Sequence, residues 1–214
     1  MIEAIKGYAL LFVFTLVSPF GVNIATEEPS YRVVEKLSGG VEIREYGKRI
    51  AAEVTVEESD PDKARRKAFD LLAGYIFGEN RQKQSVAMTA PVEIETRGRE
   101  IAMTSPVEVD YRGGAMTMRF FMPASYGMRD LPEPGNAKVK LDEAPAETMA
   151  VLRYSGSTKD EVVTAKSAAL LEALQKSRWN ATKEVKAFFY NPPWTIPFLR
   201  RNEVVVEVAR REPA

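Results

Sequence analysis

The two side chains that most often act as general base and thiolate nucleophile are missing from this chain of 214 residues. It contains no histidine and no cysteine. Thiolate nucleophiles, disulfides, Cys-type zinc and iron–sulfur sites and imidazole acid–base chemistry are therefore excluded by composition. What remains for ligation is oxygen and thioether. Tyr46, Tyr75 and Tyr190 are the phenol candidates, each equally readable as a half-buried aromatic with a polar tip. Met88 and Met103 are the thioether candidates. A methionine that ligates heme iron usually stands opposite a histidine, so packing is the better account of this pair. Adjacent carboxylates such as Glu57-Glu58 and Asp142-Glu143 fall at strand ends or turns, which fits a solvated surface and no acid–base role. No phosphate-cradling glycine loop, nucleophile elbow or metal-spaced cluster occurs. Lys+Arg 30 balances Asp+Glu 30, so no global field favours nucleic acid. These features point to a binding protein without catalytic residues.

The two methionines belong to a phrase written twice. Val-Ala-Met-Thr-Ala-Pro-Val-Glu-Ile at 86–94 returns as Ile-Ala-Met-Thr-Ser-Pro-Val-Glu-Val at 101–109, fifteen residues on. Each copy reads as a strand bent near its proline, Pro91 or Pro106, because proline cannot donate to a ladder. Strands are also expected from the alternation at 31–37, 41–46, 50–57 and 115–122. Between them Asp60 and Pro61 open a helix that Gly78 closes. Ala64, Ala68, Leu71 and Tyr75 form one apolar stripe of that helix, and Phe69, Leu72 and Ile76 an adjacent one.

This grammar repeats. Val139–Glu143 answers Val41–Glu45, 148–154 answers 50–56, and 185–190 answers 86–92, at an offset near 98 residues. Ser157-Thr158 with Glu161 reads as a capping box opening a second helix, to about Ser177, and 203–208 closes the chain as a strand. An α+β fold follows, built from a duplicated strand-strand-helix-strand-strand unit, with pseudo-repeats at about 31–122 and 138–209. Short turns make the sheet mostly antiparallel, with two helices packed on it. Ahead of the domain (30–211), residues 8–25 are almost free of charge. A signal peptide and a membrane anchor spanning 1–25 both fit, as does a buried N-terminal helix. The expected location is exported, periplasmic or membrane-anchored.

Five phrases in register resemble the SOUL heme-binding protein family: Ala-Met-Thr-Ala-Pro-Val, Ala-Met-Thr-Ser-Pro-Val, Phe-Phe-Met-Pro-Ala-Ser-Tyr (120–126), Tyr-Asn-Pro-Pro-Trp (190–194) and Arg-Arg-Asn-Glu-Val (200–204). The resemblance runs over roughly 30–210. It implies a distorted eight-stranded β-barrel flanked by two α-helices, and a tetrapyrrole cleft beside the first helix. Arg66 matches a basic position facing the propionates, and Phe69, Leu72, Ala73 and Ile76 would line the cleft. Gly74 and Thr195 stand where the family can carry lysines, and the histidine proposed as axial ligand in some members has no counterpart. The expected ligand is heme or another tetrapyrrole held by shape, with a monomeric protein, no nucleic-acid partner and membrane contact only through 8–25. The alternative is an effector-type module for another amphipathic small molecule.

Overall fold

The computed structural model describes residues 27–76, 78–81, 107–112, 115–191 and 195–211. The N-terminal apolar segment and the first Met-Thr phrase lie outside these residues, as do Met88, Met103, Pro91 and Pro106. The strands are β1 (Tyr31–Lys36), β2 (Val41–Tyr46), β3 (Arg49–Glu57), β4 (Val107–Arg112), β5 (Ala115–Phe121), β6 (Lys140–Ala144), β7 (Glu147–Tyr154), β8 (Trp179–Ala181), β9 (Lys186–Phe189) and β10 (Asn202–Arg210). The helices are α1 (Pro61–Ile76) and α2 (Asp160–Gln175). Ten strands are thus seen among the described residues, where the family resemblance implied eight. The three-residue β8 was not expected; it pairs with the tail of β10.

One antiparallel sheet runs β1-β2-β7-β10-β9-β4-β5-β3-β6, curled into a half-barrel. At its centre β4 pairs with β9, Val107 opposite Phe189 and Val109 opposite Ala187. Outward from that contact the order is β5, β3, β6 on one side and β10, β7, β2 on the other. α1 packs on β3 and β5, and α2 on β7 and β10. The strand facing β9 is the end of the second Met-Thr phrase; residues 86–92, expected to answer β9, are not among those described.

Side-chain alternation decides which face meets the helices. In β3, Ala52, Val54 and Val56 lie under α1 with Met116, Met118 and Phe120 of β5. In β10, Val204, Val206 and Val208 lie with Leu170 and Leu174 of α2. The opposite, concave face has a smaller apolar patch of Phe121, Phe188, Met149, Val151 and Val205.

Helix α1 starts and stops where its sequence says. The Asp60 carboxylate accepts from the backbone N–H of Asp62 (3.0 Å) and Lys63 (3.2 Å), and Pro61 fills the first position, whose N–H would have no partner. These bonds hold the Asp60 carboxyl below its usual range. At the other end Gly78 takes φ 105°, and Glu79 N–H reaches back to Gly74 C=O at 2.8 Å, a closure open to glycine because it has no Cβ. In α2 the expected capping box does not form. The helix begins at Asp160, and Ser157 instead accepts from the N–H of Lys159 at 3.1 Å. Its oxygen is spent on a turn before the helix.

Candidate functional site

The broad apolar face of α1 divides into a buried centre and an open flank. Ala64, Ala68, Leu72, Tyr75 and Ile76 are fully buried against β3 and β5. Phe69, half a helix-width round, is 37% exposed. Its inner edge meets the buried Phe120 ring edge-to-face, with centroids 5.5 Å apart, and its outer edge is open. Ala73 is half-buried one turn on, and Arg66, one turn back, is exposed. At 100° per residue Arg66, Phe69 and Ala73 share this flank.

Of the five residues expected to form the site, four lining it and Arg66 facing the propionates, the structure brings three to one open flank and places the other two, Leu72 and Ile76, beneath the helix. Those two support the flank from inside. Their side chains, at 0% and 1% exposure, already touch the sheet core.

The cations on α1 have different duties. Arg65 is committed. It reaches Asp160 at the start of α2 (3.4 Å) and Asp62 (3.6 Å), and its guanidinium lies 5.8 Å from the Phe189 ring. That places the Phe69 flank toward β9. Arg66 makes no ion pair with any described residue. Lys67 lies on the other flank, with Lys138 and Lys140, around a groove of about 480 Å³ that Glu53, Thr55, Val56 and Glu57 complete. Sequence reasoning missed this lysine set, because Lys138 lies just before β6 and Lys140 opens it, more than seventy residues downstream of Lys67.

The positions where the family can carry lysines are unsuited to a propionate here. A Cβ on Gly74 would stand 2.5 Å from the Glu79 carboxylate, so an acid covers that place. Thr195 is fully buried and its carbonyl accepts from Arg200 Nε at 2.7 Å.

The three tyrosines are all engaged inside the fold. Tyr75 donates to the Pro132 carbonyl at 2.9 Å, and burial pushes its pKa up to about 12. Tyr190 donates to Glu203 at 2.7 Å; burial and that carboxylate push its pKa far above the usual range. The Tyr46 hydroxyl lies 3.5 Å from Arg44 Nη1, and burial raises it too. No tyrosine considered as an iron ligand has a free, accessible oxygen. Among the described residues there is also no acidic group of metal-site form.

Glu203 organises a second cluster. It is fully buried, with Arg44 at 3.1 Å and Arg201 at 2.9 Å. Burial works against both guanidinium charges. At Arg44 it is outweighed by Glu203, Tyr46 and Glu42 acting together, and at Arg201 by Tyr190, Glu203 and Glu28, so both stay ionised. Arg201 also stacks on the Tyr190 ring at 3.8 Å. The cluster closes one end of the concave face as Arg119, Glu53, Glu108 and Lys186 close the other. Each member has an ion partner inside the fold.

The SOUL heme-binding protein family matches residues 26–207. The chain belongs to that family. This SOUL protein is similar to Heme-binding protein 2 of Mus musculus, at 26% identity over 195 residues covering 89% of each chain. It is similar also to Heme-binding protein 2 of Homo sapiens, at 25% identity, covering 88% of this chain and 89% of the relative. In fold it resembles the C-terminal domain of EcmrR (TM-score 0.56, 11% identity, 84% of this chain and 98% of that one). A conserved protein of Listeria innocua, uncharacterized, also aligns (TM-score 0.51, 14% identity, 87% and 94% covered). At such identities these two likenesses establish the fold alone.

Proposed function

We propose that this SOUL protein binds heme or another tetrapyrrole on the Phe69 flank of α1, without chemistry of its own and without histidine ligation. The observation that carries the reading is the flank itself. A large aromatic on the family's cleft helix stays 37% open, backed by Ala73 and bordered by an Arg66 that no described carboxylate claims. Heme fits these residues as a flat apolar body and as a dianion. Phe69 and Ala73 supply contact area, and Arg66 supplies a charge-assisted hydrogen bond to a propionate. When bound, heme would bring redox and gas-binding chemistry; this chain's described residues hold and orient the macrocycle and supply no iron ligand. Covering ~300 Å² of porphyrin yields a gross gain of about 7 kcal/mol, from which association costs subtract. Micromolar affinity is the expectation.

Hemin titration followed in the Soret band tests this, with iron-free protoporphyrin IX alongside. Both should saturate with affinities within about threefold, and Arg66→Glu should weaken both. A hemin site that rejects the iron-free ring would overturn shape-based capture.

A second reading is favoured by the covered Gly74 and the buried Thr195. With both family lysines gone, the flank would hold another amphipathic small molecule, as an effector-type module. Thermal-shift screening of porphyrins against unrelated amphipathic anions and cations separates the readings.

The same reading makes the protein a monomer, exported or anchored through residues 8–25. The mirrored strand order about the β4–β9 contact supports descent from a duplicated half.

A further inference from the structure

We propose that the 3-10 turn Pro197–Leu199 is a membrane-interface foot, which seats the domain on the bilayer that the N-terminal apolar segment enters. Phe198 is 72% exposed and Leu199 43%. Phe198 is the most exposed large apolar side chain among the described residues, on a short turn where an ordinary surface would carry polar groups. The turn is firmly mounted. Pro197 C=O accepts from Gly156 N–H at 2.9 Å and from Arg200 N–H at 3.1 Å, and Arg200 Nε grips the carbonyl of the buried Thr195. A well-anchored backbone thus holds two apolar side chains outward.

What selects a bilayer as the occupant is where the rest of the chain goes. Arg201, three residues past Phe198, pairs with Glu28 through both carboxylate oxygens at 3.0 and 2.9 Å. Glu28 follows the uncharged stretch 8–25 by three residues, a reach of at most ~10 Å. The salt bridge therefore fixes the described end of the chain beside Arg201, within that reach of an apolar stretch of about membrane-spanning length. A bilayer receiving that segment would meet the turn. Phenylalanine and leucine would enter the interface while the backbone that carries them stays at headgroup level. This goes beyond tetrapyrrole binding and does not depend on it.

The absence of cysteine makes the test direct. Phe198→Cys and, as control, Glu172→Cys are made in the full chain and labelled with a nitrobenzoxadiazole dye. Glu172 lies twelve residues along α2 from Asp160, ~18 Å from the end near the turn. The labelled chains are reconstituted with vesicles of phosphatidylcholine and phosphatidylglycerol, and aqueous dithionite reduces the exposed dye. Leu199→Cys is run in parallel, so that the result does not hang on one variant. The expected result is flotation with the vesicles, with reduction at 198 and 199 about fivefold or more slower than at 172. Flotation with equal rates at all three positions would show a tether without a foot and overturn the proposal. Failure of the full chain to float would overturn it as well.

Discussion

Truncating Phe69 and truncating Leu72 should harm the protein in opposite ways. The two side chains are three residues apart on α1, and both fall on its apolar face. Leu72 has no exposed surface and packs among β3 and β5. Leu72→Ala deletes core contacts and leaves a cavity, at a cost of about 2–5 kcal/mol. For a domain of this size that is a fall in Tm of roughly 5–20 °C. It removes nothing a ligand could touch. Phe69 is 37% open; of a phenylalanine surface near 200 Å², about 75 Å² is available to a ligand, worth ~2 kcal/mol at 25 cal/mol per Å². Phe69→Ala should therefore raise the hemin Kd by about 30-fold. Its stability loss, which includes the edge-to-face contact with Phe120, should be smaller than that of Leu72→Ala. The assay is a Soret titration of each variant at a temperature where urea melts show both fully folded. An unchanged Kd in Phe69→Ala refutes the site. Equal weakening in a folded Leu72→Ala would put the ligand inside the helix–sheet seam and refute the division of the helix argued above.

Three further outcomes are expected. Glu203→Gln should cost about 3–5 kcal/mol in urea melts, since Arg44 and Arg201 would lose their shared buried counterion, whereas Glu45→Gln, whose partner Arg32 is mostly exposed, should stay within ~0.5 kcal/mol. Asp60→Ala should cost about 1 kcal/mol through the lost cap of α1, read as a lower urea midpoint. Stability should also fall on the alkaline side. Tyr75 and Tyr154 are pushed up to about 12 by burial, so the folded state holds protons that the unfolded chain releases near pH 10. The contribution of these tyrosines is complete below pH 10 and is lost as pH rises from about 10 towards 12. Urea midpoints measured from pH 8 to pH 11.5 check this; a flat profile above pH 10 would contradict the burial of those phenols.

Much of the scaffold was legible because its signals are local. Asp60-Pro61 and Gly78 bracket α1, and the alternation in 41–46, 50–57 and 115–122 marks strands, through side-chain period and backbone chemistry that act within a few residues. The internal order of the candidate site was less so. Phe69, Leu72 and Ile76 read as one stripe, and a stripe has no marker for which edge lies under a sheet and which forms its rim. Ala64 and Ala68 hold the answer. Two small residues at zero exposure mark the line of closest approach, and Phe69 lies well round from it. The Glu203 cluster was hidden for another reason. Along β2 and β10 the charges Glu42, Arg44, Glu203 and Glu207 occupy alternate positions, as they would on a solvated face. Only the curl of the sheet turns that face inward and brings Arg44 to Glu203 across 159 residues of chain.

The two faces of the sheet now bear on where a ligand can sit. A half-barrel invites the idea that the concave side is the binding cavity. Here its centre is packed by Phe121 against Phe188 at 6.1 Å, and both ends are closed by ion clusters with little exposure. To open it, a ligand would have to separate Glu203 from two guanidiniums and the Tyr190 phenol, or replace all three contacts at once. Each unpaired buried charge costs several kcal/mol, comparable to the whole gross gain from covering a porphyrin face. The Phe69 flank asks for no such exchange, because Phe69 is already half in water and Arg66 has no described partner to give up. A ligand that binds without breaking the fold is therefore directed to the outside of α1, where substitutions can change affinity while the ion clusters keep the sheet intact.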